Sequence, residues 1–206
     1  MKTLTPKPEK DRAATEQRLL DSVGTMIAAQ GFERIGVNAV AAQSGVSKIL
    51  IYRYFGSVDG LLAAYIRKHD FWINFEREVP HKENLADFLK AIFRRQAELL
   101  HSNPALKRLY RWELSSHNEW IDRLRSQREE AGLWIIQTVS DISGKDPKEV
   151  ASLATIISAA IDYLALLEDF CPAYNGIPLQ TPAGWESIFA GVDLLIEQWC
   201  ERACNV

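Results

Sequence analysis

Cysteine is scarce in this sequence, with three residues among 206. An odd number of cysteines, without the close pairing that zinc fingers use, is typical of a chain kept in a reducing compartment. Cys200 and Cys204 lie one helical turn apart, but no histidine or further cysteine is placed beside them to complete a tetrahedral site. We therefore predict no metal ion, no cofactor and a cytoplasmic location.

The motifs of common enzyme classes are also missing. The chain has no Gly-rich phosphate loop, no Gly-x-Ser-x-Gly elbow and no His-Glu-x-x-His pair. Its four histidines are scattered without a common helical face: His69, His81, His101 and His117. Because catalysis needs several groups brought together in one constellation, we predict that the protein is not an enzyme.

Long apolar runs and a strong net charge are absent as well. We find no apolar run that approaches a membrane span, and the opening MKTLTPKPEKDR lacks the apolar block of a signal peptide. The net charge is only −3, yet residues 1–55 carry a net +3 and residues 56–206 a net −6. A basic N-terminal part on an acidic body suits a protein that presents one end to phosphates. This pattern predicts no membrane contact and makes nucleic acid a candidate partner.

Residues 37–62, VNAVAAQSGVSKILIYRYFGSVDGLL, predict a helix-turn-helix followed by a further helix. Ala41 is small enough for a second helix to cross closely, and Gly45 can take the positive φ that a three-residue turn needs. Ser47 is a good N-cap for the second helix, and Ile51 supplies an apolar contact between the two helices. The segment SKILIYRYF would then lie in a DNA major groove.

The flanking segments carry further motifs in a definite order. Upstream, RLLDSVGTMIAAQGFERIGVNAVA predicts an amphipathic helix that ends at Gly31-Phe32, followed by a short helix. Downstream, IYRYFGSVDGLLAAYI supplies a Tyr-x-Tyr-Phe box, a cap at Ser57, an acid at Asp59 and a Leu-Leu pair. Over roughly residues 14 to 66 this order resembles the N-terminal DNA-binding domain of the TetR family of transcriptional regulators.

Beyond residue 56 the apolar pattern is helical nearly throughout, without a convincing alternating strand. Caps and prolines predict further helices. They are a fourth from Ser57 to about Glu76, a fifth after Asn84, a sixth from Asn103-Pro104 toward Leu114, a seventh from Asn118 to Ile142, an eighth from Asp146-Pro147 to Phe170 and a ninth after Thr181-Pro182. The resemblance implies the same all-α fold of about nine helices. It places an N-terminal three-helix helix-turn-helix DNA-binding domain over residues 1–56 and a C-terminal effector-binding and dimerisation domain over residues 57–206.

Seven residues are the predicted DNA contacts. Lys48 and Leu50 lie nearest the N-terminal half of the recognition helix, which faces base edges. Tyr52 and Arg53 suit phosphates, and Asn38 would reach the DNA backbone from the start of the second helix. The full set is Asn38, Ser47, Lys48, Leu50, Tyr52, Arg53 and Tyr54.

The middle of the chain is rich in aromatic side chains and predicts an effector pocket. Large rings usually build a core, so polar groups on an apolar stripe are a better sign of a cavity. Gln96 interrupts such a stripe on the fifth helix, and Asp162 interrupts the eighth. We predict a mostly apolar, aromatic-lined pocket for a small organic molecule. Its candidate residues are Trp72, Phe75, Gln96, Trp112, His117, Trp134 and Asp162.

The eighth and ninth helices predict assembly into a dimer. From Val150 to Leu167 the only charge is Asp162, and apolar residues occur nearly all round the helix. A helix that is apolar on every side must be buried on every side. Either both helices pack inside one chain or they form a four-helix interface between two chains, and we favour the second. The resemblance implies the same homodimer, and a palindromic double-stranded operator requires two DNA-binding domains.

Two functions remain in competition. The favoured one is a ligand-responsive DNA-binding transcriptional regulator, a repressor that a small apolar or aromatic molecule releases from its operator. The other is a dimer of the same shape that has lost operator binding and acts through a protein partner. Ile49, Leu50 and Val58 stand where family members usually have phosphate or base contacts. An exposed Ile or Leu can meet thymine methyl groups, so these residues are compatible with DNA binding.

Overall fold

The computed structural model of the protein describes residues 9–31, 35–77 and 79–201. Within these ranges the chain forms nine α-helices and almost no strand, which confirms the predicted all-α fold. The helices are α1 (Glu9–Gln30), α2 (Val37–Ser44), α3 (Lys48–Phe55), α4 (Val58–His69), α5 (Leu85–Ser102), α6 (Pro104–Ser115), α7 (Glu119–Ser143), α8 (Pro147–Leu167) and α9 (Pro182–Glu201). A single 3₁₀ turn, Lys82–Asn84, precedes α5. Phe32 and Cys204, both named above, lie outside the described residues.

The helix-turn-helix consists of α2 and α3 and has the predicted local geometry. Gly45 ends α2 with a φ of 66°, a conformation that other residues adopt only with steric strain. Ser47 caps α3, because its hydroxyl accepts a hydrogen bond from the N–H of Ile49 at 3.3 Å. Val46 and Ile51 are buried. Signals within a few residues of one another therefore specify this motif.

The fourth helix is shorter than predicted, because α4 ends at His69 rather than near Glu76. Asp70 caps its end in an extended conformation and is buried. The Asp70 carboxylate accepts a hydrogen bond from the Tyr110 hydroxyl at 2.8 Å. A buried carboxylate needs such a partner, and this bond holds Asp70 out of the helical conformation. The aromatic residues that follow consequently lie in a turn rather than on α4.

The segment after α8 also differs from the prediction. The helix ends at Leu167, three residues earlier than predicted, and the following loop folds into a hairpin. Its strands, β1 (Ala173–Tyr174) and β2 (Ile177–Pro178), pair antiparallel. Asn175 and Gly176 join them with positive φ values of 49° and 81°, as a type I′ turn requires. The expectation of no strand was wrong for this loop, where the Asn-Gly pair is a strong hairpin signal.

The described chain divides into two compact units. The first comprises the residues up to 70 and 108–124, and the second comprises 71–107 and the residues from 125 onward. Inside the first unit, the Arg108 guanidinium donates hydrogen bonds to the carbonyls of Ile27 and Ala28. These carbonyls belong to the last turn of α1, and that of Ile27 also accepts the N–H of Gly31 at 3.0 Å. The functional division predicted between residues 1–56 and 57–206 stays a prediction.

Two surface ion pairs join α5 to α9 in the second unit. The Arg94 guanidinium lies 2.7 Å from the Asp193 carboxylate, and the Lys90 ammonium lies 2.6 Å from the Glu197 carboxylate. The hydrogen bond to Asp193 raises the pKa of Arg94, and the hydrogen bond to Glu197 raises the pKa of Lys90. Both cations are therefore charged at neutral pH, and the pairs orient α9 along α5.

A partly buried group of polar side chains, the Glu168 cluster, joins α5, α6 and α9 to the end of α8. The buried Lys107 ammonium lies 2.5 Å from the Glu168 carboxylate and 2.9 Å from that of Asp169. The Trp185 indole N–H donates to Glu168 at 2.8 Å, and the His101 Nε2 lies 3.2 Å from the same carboxylate. A buried charge with so many partners is satisfied only when all these elements are in place.

Helix α8 is long and apolar enough, by length and composition, to cross a membrane. The prediction that no apolar run approaches that length is therefore wrong. Asp162 is the only charged residue between Val150 and Leu167, and one charge does not bring the mean hydropathy of the helix below that of a membrane span. Core helices of soluble proteins pass the same test. Here one side of α8 is buried in the second unit, through Val150, Ile157, Ile161 and Ala165. On its other side, Ile156 and Tyr163 are exposed.

Candidate nucleic-acid interface and effector cavity

One face of α3 is open to solvent and carries most of the predicted DNA contacts. Ile51 and Phe55, four residues apart, are buried and define the inner face of this helix. Lys48, Tyr52 and Arg53 are exposed to solvent. The N-cap Ser47 and, on α2, Asn38 are also exposed. This face therefore presents cationic and hydroxyl donors together, as a helix in a major groove does.

The solvent exposure of three other residues of α3 does not follow the predicted set of DNA contacts. Leu50 is half-buried, whereas its neighbour Ile49 is 75% exposed. Tyr54 is half-buried, and the Arg12 guanidinium lies over its ring at 5.1 Å. Ile49 was absent from the predicted contact set. The helical phase of Ile51 would have identified it, because a residue two positions away points to the opposite side.

The turn between α3 and α4 is packed against the start of α7. Gly56 has a φ of 74°, and a Cβ there would lie 2.7 Å from the Trp120 ring. The same ring lies over Gly60, where a Cβ would meet it at 3.1 Å. The Asn118 amide donates to the Asp59 carboxylate at 3.2 Å, while its oxygen accepts the N–H of Trp120 at 3.0 Å. Trp120 and Asn118 thus support the end of the recognition helix, a role that their sequence positions did not indicate.

A cavity of about 420 Å³ lies among α5, α7, α8 and the turn that follows α4. Its wall is mostly apolar and includes Trp72, Ile92, Phe93, Ile136 and Val139. Its charged lining residues are Arg125, Arg128, Glu129 and Asp162. A concave apolar surface with a few polar groups is typical of a small-molecule site.

Gln96 and Asp162, both singled out in the sequence, are hydrogen-bonded to each other. Gln96 is buried, and its amide nitrogen donates to the Asp162 carboxylate at 2.7 Å and to the Ser158 hydroxyl at 2.9 Å. Asp162 and Ser158 line the cavity, and Gln96 lies behind them. The amide therefore holds the Asp162 carboxylate in a fixed orientation at the cavity wall.

The remaining predicted effector residues are distributed more widely. Trp72 lines the cavity and its ring lies edge-on to that of Phe93, with 6.4 Å between centroids. Phe75 packs against other aromatic rings, and Trp134 has the Arg77 guanidinium over its face at 5.2 Å; neither is among the lining residues. The structure places Trp112 and His117 in the first unit.

A second cavity, of about 690 Å³, lies beside the Glu168 cluster. Three of its four lining carboxylates are already paired within the chain: Glu168 and Asp169 with Lys107, and Glu186 with Arg94. The smaller, more apolar cavity is the better candidate for an effector. In the part of the chain that the structure describes, no three His, Cys, Asp or Glu residues are grouped to hold a metal ion.

Comparison with known proteins identifies the helix-turn-helix segment. Residues 19–65 match the model of a family described as bacterial regulatory proteins, tetR family. No curated protein matches the chain.

Solved structures are similar over nearly the whole chain. The fatty acid degradation regulator FadR from Bacillus halodurans is 14% identical, with a TM-score of 0.59, over 87% of this chain and 96% of that one. A TetR transcriptional regulator from Agrobacterium tumefaciens is 19% identical, with a TM-score of 0.60, over 90% and 94%. A TetR family transcription regulator from Marinobacter aquaeolei VT8 is 18% identical, with a TM-score of 0.59, over 90% and 97%.

At these identities the solved structures show a common fold, and the sequence match falls on the segment whose exposed helix face carries the DNA-contact candidates. Fold and motif agree with the resemblance found in the sequence. Residues 19–65 are therefore similar to the tetR family of bacterial regulatory proteins, in a chain that shares the overall fold of the solved regulators.

Proposed function

We propose that the protein is a cytoplasmic homodimeric repressor, which binds a palindromic operator and releases it when a small apolar or aromatic molecule enters the 420 Å³ cavity. The observation that carries this proposal is the open face of α3, with Lys48, Tyr52 and Arg53 exposed in a capped helix-turn-helix. Selection of duplexes from a random DNA library by the full-length protein tests it. We expect an inverted repeat to be enriched. A library that stays random, together with a tight protein partner in pull-downs, would instead favour action through that partner.

The dimer is supported by apolar side chains that a single chain leaves uncovered on α8 and α9. Ile156 and Tyr163 on α8, and Leu194 and Leu195 on α9, are all exposed. An apolar surface of this kind marks an interaction site. A second copy of the chain is the partner that we propose, because a palindromic operator needs two recognition helices related by a twofold axis.

The switch that we propose acts through two continuous pieces of chain. Trp72 lines the cavity and follows, by two residues, the buried Asp70 that caps α4. Helix α7 begins with Trp120 against the end of the recognition helix and continues to the cavity-lining residue Ile136. An effector that prefers shifted positions of these residues would change the spacing of the two recognition helices, which must lie about 34 Å apart. Such coupling typically amounts to about 1–3 kcal/mol.

Replacing Trp72 with Ala should leave operator binding intact when no effector is present and should blunt the response to effector. The ring lines the cavity, so its loss removes contacts that the effector would use. The measurement is an operator titration with and without an effector identified by thermal-shift screening of small aromatic and acyl compounds. Trp134→Ala is the matched control, because that ring lies outside the lining. Equal loss of operator affinity in both conditions would show that Trp72 is only part of the core.

Replacing Arg53 with Ala should weaken binding to all DNA sequences and lower the salt slope by about one unit, since an exposed guanidinium on α3 suits a phosphate. Lys48→Ala should instead relax the preference at one base position, at a cost of about 1–3 kcal/mol on the correct operator. Fluorescence anisotropy at several salt concentrations separates the two effects. Lys148→Ala, at an exposed position on α8, controls for net charge. Wild-type binding by both α3 variants would refute these assignments.

A further inference from the structure

Ile49 is the most exposed large apolar side chain in the described residues, at 75%. It is the second residue of α3, between the exposed Lys48 and the half-buried Leu50. Neither helix stability nor core packing explains an isoleucine at this position, because a β-branched residue is a weak helix former and this side chain is not buried. The chain places a water-exposed apolar group at the end of the recognition helix that faces base edges.

The backbone around Ile49 has a fixed conformation in the absence of DNA. Its N–H donates to the Ser47 hydroxyl at 3.3 Å, which fixes the first turn of α3. The buried Ile51 and Phe55 set the rotation of the helix, so that position 49 points away from the core. A β-branched side chain also has few χ1 rotamers. Ile49 is therefore a pre-oriented apolar surface rather than a mobile one.

We propose that Ile49 contacts the 5-methyl group of a thymine at one position of each operator half-site. The inference rests on the proposed operator binding and names what this side chain recognises. The thymine methyl is the distinctive apolar group that base pairs present in the major groove. Contact between it and an exposed isoleucine removes apolar surface of both groups from water, which is favourable. Tyr52 and Arg53 are exposed and lie three and four residues after Ile49, on the same face of the helix, where they supply polar and phosphate contacts around it.

The test replaces thymine with uracil, one position at a time, in the operator selected by the full-length protein. Uracil lacks only the methyl group and keeps the hydrogen-bonding edge. We expect one position at which this change weakens wild-type binding about fourfold per half-site, the value for burying one methyl-sized group. Ile49→Ala should bind the thymine operator more weakly and lose this difference, whereas Ile49→Val should keep most of it. Because position 49 is exposed, thermal melting should show both variants folded like wild type.

Leu50→Ala tests the alternative contact at the neighbouring half-buried position. Leu114→Ala, at an exposed apolar position on α6, is the control that should retain the thymine preference. An operator without any uracil-sensitive position, or an equal uracil effect in wild type and Ile49→Ala, would overturn the inference while leaving operator binding established. Loss of the effect in Leu50→Ala but not in Ile49→Ala would assign the contact to Leu50 instead. Failure to bind any duplex would refute the proposed function itself.

Discussion

Replacing Ile156 with Asp is expected to convert the protein to a monomer and to weaken operator binding by about a hundredfold or more. Ile156 is 66% exposed in the single chain, so the substitution should change the stability of one chain by only about 0.5 kcal/mol. In the proposed four-helix interface the carboxylate introduced at position 156 would be buried without a partner, which is strongly unfavourable. The two recognition helices would then bind independently, and the gain from simultaneous binding would be lost.

Light scattering at micromolar concentration measures the assembly, and anisotropy measures operator affinity. Leu114→Asp is the matched control, because Leu114 is equally apolar and 72% exposed but lies on α6. We expect that variant to remain dimeric. A monomeric wild-type protein, or a stable dimer of the Ile156→Asp variant, would contradict an interface formed by α8 and α9.

Replacing Lys107 with Met is expected to lower the free energy of unfolding by about 3–5 kcal/mol, the usual cost of removing one partner from a buried ion pair. Lys107 is buried and lies within 2.9 Å of two carboxylates, those of Glu168 and Asp169. Methionine fills similar space but leaves the Glu168 charge without its main partner. The Trp185 and His101 contacts to Glu168 lie at 2.8 and 3.2 Å and offset only part of that loss.

Chemical denaturation followed by circular dichroism checks this expectation. Lys148→Met, at an exposed position on α8, should change stability by only about 0.5 kcal/mol. Adding Glu168→Gln to Lys107→Met should recover part of the loss, because the amide needs no counter-charge. A Lys107→Met variant as stable as wild type would show that the Glu168 cluster contributes little to the fold.

The DNA-binding motif was predictable because its determinants are local. The Gly45 turn, the Ser47 cap and the Ser57 cap each act within three residues of themselves, and the structure contains all three. The end of α4 depends instead on a hydrogen bond between Asp70 and Tyr110, forty positions apart in the sequence. No local pattern encodes such a pair, so the apolar run appeared to continue the helix.

For the candidate cavity, too, the sequence identified individual residues but not the long-range contacts between them. Polar residues on apolar stripes identified Gln96 and Asp162 separately, but only the fold shows that they bond to each other. Aromatic content alone could not separate Trp72, which lines the cavity, from Trp134, which does not. The contact of Trp120 with the turn after α3 is likewise a long-range packing event. Periodicity assigns a residue to a helix face, and tertiary packing decides what that face meets.

The most direct test of the account is the stoichiometry of the complex with DNA. Analytical ultracentrifugation of the full-length protein should be performed with the selected inverted repeat and with a duplex that contains a single half-site. We predict two chains on the full repeat, with half-site centres about 34–36 Å apart or at a multiple of that spacing. The single half-site should bind about a hundredfold more weakly. One chain bound equally tightly to either duplex would contradict a dimeric operator-binding regulator.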